Sequence, residues 1–87
     1  MMKGCVNMTI GEACRIRILE LCNEKSITLN KLSIISGITQ STLNNIVSGR
    51  NKSTTISTVK KICDGLEMSI VEFFDADIFK ELEQEIS

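Results

Sequence analysis

Apolar side chains recur along this chain at spacings of three and four residues, the repeat of helices that each bury one face. Convincing period-two alternation, the mark of a half-buried strand, does not occur. Thr9 opens the first stretch, with Glu12 three residues later to complete a capping box. Ile10, Ala13, Cys14, Ile18 and Leu21 then form one stripe and predict a helix over 10–24. "KSI" breaks it, and Thr28 caps a short second helix over 29–36 that should bury Leu29, Leu32 and Ile35. Gly37 follows where that helix must stop, because glycine accepts the left-handed conformation that ends helices. Thr39 caps a third helix over 40–48, closed by Gly49. Beyond the polar loop "RNKSTT", Ile56, Val59, Ile62, Cys63 and Leu66 predict a fourth helix over 56–66. Gly65 costs about 1 kcal/mol against Ala inside a helix, so that end is expected to fray. Ser69 caps a short fifth helix, "IVEFFD", which supplies most of the aromatic mass. In "ADIFKELEQEIS", Ile78, Phe79, Leu82 and Ile86 lie at helical spacing opposite Glu81, Glu83, Gln84 and Glu85. A sixth, amphipathic helix is expected there, able to fold back on the core or to pack against a partner chain.

Composition agrees with an all-α domain. The 87 residues suffice for one core, 43 % of them are apolar, and no Pro interrupts a helix. No apolar run reaches the roughly 18–20 residues that cross a bilayer, and no signal peptide is expected, so the chain reads as cytoplasmic. The four cysteines lack a C-x-x-C pair and the chain has no His, which disfavours zinc, and with no export signal expected a disulfide framework is disfavoured too. Cys14, Cys22 and Cys63 read as small buried hydrophobes. No cofactor or small-molecule ligand is indicated. An enzyme is disfavoured too, because no nucleophile has a base beside it and no Gly-rich loop could cradle a phosphate.

The net charge of −1 conceals a division along the chain. Residues 1–61 carry nine Lys or Arg against three Glu, and residues 62–87 one Lys against eight Asp or Glu. Residues 25–63 hold Lys25, Lys31, Arg50, Lys52, Lys60 and Lys61 and no acid at all. Such a run suits a surface that meets a polyanion.

The third helix sits inside that run. At 100° per residue, Gln40, Asn44, Ser48, Ser41 and Asn45 fall within an arc of about 140°, opposite Leu43, Ile46 and Val47. Thr42 lies on the flank. An ordinary solvated face would carry Glu and Lys. Amides and hydroxyls instead match the donors and acceptors that DNA base edges present in the major groove. The basic stretch after the helix would supply anchors for phosphate.

The stretch "ITLNKLSIISGITQSTLNNIVSGRN" resembles the helix-turn-helix of lambda-repressor-like (Cro and xenobiotic-response-element) regulators. "TISTVKKICDGLEMSIVEFFD" is similar to the fourth and fifth helices of that family. The resemblance covers 9–74 and implies a five-helix DNA-binding domain there, which leaves 1–8 as a tail and 75–87 as the C-terminal amphipathic helix, for dimerisation or core packing. By position, Gln40, Ser41, Asn44 and Asn45 would read bases. Thr28, Thr39, Thr42, Arg50, Asn51 and Lys52 would hold phosphates. The implied function is a sequence-specific regulator of transcription, a repressor, that binds double-stranded DNA as a homodimer. The alternative is a protein-interaction module or antitoxin-like partner on the same fold. Two departures stand out. The family's Gln at the start of the second helix is Leu29 here. Its buried Arg and acid, on the first and third helices, are Cys22 and Val47, and loss of both partners together leaves an apolar contact in place of a stranded charge. Those two residues are therefore expected to meet in the core.

Overall fold

The computed structural model describes residues 9–48, 54–80 and 82. Those residues form helices α1 (Ile10–Glu24), α2 (Leu29–Ser36), α3 (Gln40–Val47), α4 (Ile56–Gly65), α5 (Ile70–Phe74) and α6 (Asp77–Lys80), with no strand among them. The expected all-α class holds, and five of the six helices lie where periodicity and caps put them. Gly49, Arg50, Asn51 and Lys52, as well as Cys5 and the acidic residues from Glu81 onward, lie outside the described residues.

Each of the first five helices starts on a hydroxyl. Thr9, Thr28, Thr39, Thr55 and Ser69 all have extended backbone and accept a hydrogen bond from the amide three residues on. This satisfies a helix donor that would otherwise have no partner. Thr9 with Glu12 and Ser69 with Glu72 complete capping boxes.

The C-termini of α1, α2 and α4 share a different device. Ser26, Gly37 and Glu67 adopt left-handed backbone, with φ of 56°, 73° and 59°. The next residue in each case, Ile27, Ile38 or Met68, donates its amide five residues back, to the carbonyl of Cys22, Ser33 or Cys63. These are Schellman closures, and the apolar residue after each one turns into the core.

The core joins Cys14, Ile18 and Leu21 of α1 to Leu32 of α2, Leu43 and Ile46 of α3, Val59, Ile62 and Cys63 of α4, and Phe73 of α5. Cys22 belongs to this cluster, and Val47 packs against it half-buried, so both replacements face the same apolar interior. Burial pushes the thiols of Cys14, Cys22 and Cys63 above their ordinary range, which suits structural and unreactive cysteines.

Several expectations need correction. Ile10 and Ile56, assigned to buried stripes, are 41 % and 66 % exposed, because each is the first residue of its helix and overhangs the core. On α2, Leu29 and Ile35 are only half-buried, while Ser33 and Ser36 turn inward. Their hydroxyls donate to the carbonyls of Asn30 and Leu32, so burial leaves neither unpaired. Among the described residues α6 spans four positions rather than the whole of 75–87, and Leu82 lies outside it. α6 folds back towards α1. Phe79 packs its ring against Phe74 and Phe73, with centroids 4.8 and 6.1 Å apart.

Arg17 is the largest departure. It lies on the buried side of α1, between Cys14 and Ile18, and is 9 % exposed. Its Nε donates to the Phe73 carbonyl at 2.7 Å and its Nη2 to the Glu72 carbonyl at 3.0 Å, while Nη1 meets Glu20 at 3.3 Å. The guanidinium thus caps the last turn of α5, supplying a donor to the Phe73 carbonyl and a second donor to the Glu72 carbonyl, which also accepts from the Asp75 amide at 3.2 Å.

Candidate nucleic-acid interface

α2 and α3 pack against one another and are joined by residues 37–39. Leu32 holds the first to the core, and Leu43 and Ile46 hold the second. That anchorage leaves Gln40, Ser41, Asn44 and Ser48 exposed on the opposite side of α3. Thr42 is exposed on the flank, and Asn45 sits half-buried at the edge of the face. The structure therefore gathers three of the four expected base-reading residues on open surface and places the fourth at its margin.

The hydroxyls at the helix starts have defined roles. Thr28 Oγ1 accepts from the Lys31 amide at 3.1 Å, which leaves its own hydrogen uncommitted by that bond. Thr39 Oγ1 accepts from the Thr42 amide at 3.2 Å and donates to Thr42 Oγ1 at 2.9 Å. The hydrogen of Thr39 is thus spent inside the cap, and Thr42 keeps the outward donor. Thr55 and Thr58 repeat the arrangement at the start of α4, with their hydroxyls 3.0 Å apart. Thr55, the last residue of the polar loop "RNKSTT", is thus the cap of α4. The shared T-x-x-T spacing of Thr39–Thr42 and Thr55–Thr58 was the available signal.

The electrostatic pattern is set at the third residue of each helix. α1 and α5 carry Glu there, whereas α2, α3 and α4 carry Lys31, Thr42 and Thr58, and none of these three has an acid in its first turn. Three helix N-termini therefore keep their partial positive charge unneutralised by a carboxylate. Lys25, Lys31 and Lys61 are exposed. Lys60 is less available than its place in the acid-free run suggests, because it pairs with Asp64 at 2.6 Å. That hydrogen bond and charge raise its pKa. Among the described residues no group of His, Cys, Asp and Glu could hold a metal ion, and no helix is long and apolar enough to cross a membrane.

A helix pair joined by a tight glycine turn, with a neutral polar face on its second helix and acid-free helix starts around it, defines a helix-turn-helix DNA-binding protein. Residues 17–77 match the profile of the Cro/C1-type HTH DNA-binding domain, and the chain belongs to that family. Among solved structures it is similar to the crystal structure of the prophage Lp1 protein 11. That likeness has 35 % identity and a TM-score of 0.74, and covers 85 % of this chain and 97 % of the other. No curated protein matches the sequence.

Proposed function

We propose that this protein is a transcriptional repressor that reads a specific duplex sequence with α3 in the major groove. The observation that carries the reading is the exposed amide and hydroxyl face of α3, directly opposite buried Leu43 and Ile46. Gln40, Ser41 and Asn44 contact base edges, and Asn45 does so from the margin. Amides pair bidentately with adenine, so adenine is the expected partner of Gln40 and Asn44.

Thr28, Thr39 and Thr42, with Arg50, Asn51 and Lys52 beyond α3, hold the backbone on either side. Of the hydroxyls, Thr42 is the better donor to phosphate, because the hydrogen of Thr39 is already committed to it. The absence of carboxylates from the starts of α2, α3 and α4 supports the same assignment, since acids there would oppose phosphates. A single domain of this size reads one half-site, and two copies on a two-fold site would read half-sites about 34 Å apart. The similarity to a prophage protein suits a regulator of this kind.

Selection of binding sites from random duplex DNA tests the reading. The expected result is an enriched motif with two-fold symmetry. Failure to enrich any motif at low salt would reject DNA reading in favour of a protein-interaction role, and an asymmetric single motif would reject the dimer.

A further inference from the structure

Gly65 is the last residue of α4, where a glycine weakens a helix unless space demands it. Its φ is not in the left-handed region, so conformation is not the reason. A Cβ on Gly65 would lie 2.7 Å from the Ile35 carbonyl oxygen and 2.9 Å from both the Ile35 carbonyl carbon and Ser36 Cα. All three atoms are backbone and cannot swing aside. Gly37 is the converse case, with φ of 73° and nothing within 4 Å of an added Cβ.

The contact falls at a sensitive place. Among the described residues α2 and α4 share the most extensive helix–helix contact. Ile35 and Ser36 form the final turn of α2, and only residues 37–39 separate them from α3. Ser33 and Ser36 fold their hydroxyls onto their own helix. Relief of the contact to the ordinary limit of 3.4 Å would require the end of α2 to withdraw by about 0.7 Å. α3 is held both by its contact with α2 and by Leu43 and Ile46 in the core, so the turn would draw it only part of the way. The two helices would change their relative pose. A bidentate base contact tolerates donor–acceptor distances of only about 2.7–3.2 Å.

We propose that Gly65 is a positioning residue for DNA recognition: its backbone contact with Ile35 and Ser36 sets the pose of α2 and, through the turn, that of the reading face of α3. The proposal rests on the DNA-reading function above. Gly65→Ala in the full chain tests it, with affinity measured for the selected site and for a scrambled duplex at a temperature where both proteins are fully folded. The ratio of the two affinities is expected to fall roughly 5- to 150-fold, the equivalent of one bidentate contact. The salt slope should stay unchanged, because no cation is lost. In the DNA-free protein, amide chemical shifts should move at Gln40–Asn44 as well as beside Gly65.

An unchanged ratio in folded Gly65→Ala protein overturns the proposal. So does a reduced ratio without movement of the α3 amides. If Gly65→Ala does not fold, the same measurements are made in a Ser26→Gly background, against Ser26→Gly alone. Failure of that double variant to fold assigns the glycine to the fold as a whole and also overturns the positioning role. Absence of any duplex discrimination by the unaltered protein is a separate result, which rejects the DNA-reading function itself.

Discussion

Arg17 shows how much one residue can hold and how little the sequence announces it. It occupies the gap in the apolar stripe of α1, seven residues after Ile10, where an arginine reads as an interruption. Its stem packs along the core while the guanidinium spans to α5, a contact between residues 55 and 56 positions apart in sequence. No local pattern signals a partnership at that separation. Arg17→Met keeps much of the apolar stem but leaves the buried Phe73 carbonyl without its Nε–H donor, while the Glu72 carbonyl keeps the Asp75 amide. It is expected to cost about 1–3 kcal/mol, read from the denaturant midpoint at unchanged m-value. Gln40, by contrast, is exposed at the start of α3, on the side away from the core. Gln40→Ala should leave stability within about 0.5 kcal/mol. It should relax base preference at one position by roughly 1–3 kcal/mol in a site selection, and unaltered selectivity would remove Gln40 from the reading set.

At the scale of elements, both starts and stops were legible in position, but the device was legible only at the starts. Thr9, Thr28, Thr39 and Ser69 could be picked out because a cap needs a hydroxyl at one defined position. The stops of α1 and α4 rest on Ser26 and Glu67 in left-handed backbone, a conformation expected of glycine. Only at Gly37 did the residue match the geometry. Ser26→Gly and Glu67→Gly should therefore each stabilise the protein, by about 0.5–1 kcal/mol after the added freedom of the unfolded chain is set against the relieved strain. In a domain of this size that is a rise of a few degrees in melting temperature. The starts also separate stability from binding. Thr42→Glu would complete with Thr39 the same box that Thr9 and Glu12 form, so stability should hold or rise slightly. The added carboxylate would face phosphate, and affinity for duplex is expected to fall by about tenfold or more at low salt, with the deficit shrinking as salt screens it. Loss of stability together with binding would show that Thr42 serves the fold instead.

The whole molecule is organised by charge as much as by its core. Acids are confined to the first helix and to the chain from Asp64 onward, and the span between them contains the helix-turn-helix. This division was legible because it is a property of the chain, whereas the pairing of Lys60 with Asp64 at its border depends on one turn of α4 and emerged only in three dimensions. The buried thiols give the molecule an alkaline limit as well. Their folded-state pKa values lie above the ordinary 9.0, so the stability they contribute is complete at neutral pH and is lost as pH climbs past that value. Charge also decides how binding must respond to salt. The face of α3 is neutral, so base contacts release no counterions, and the whole salt dependence must come from cations beside the helix. Each phosphate neutralised contributes about 0.9 to the slope of log affinity against log salt. Lys52→Ala is expected to lower that slope by about one and to weaken every duplex sequence alike, while Gln40→Ala leaves the slope intact and changes preference. Lys60→Ala should fall short of a full unit, because Asp64 already competes for the ammonium. A slope unmoved by Lys52→Ala would place that residue away from phosphate and shift the anchoring role to Arg50 and the exposed lysines of α2 and α4.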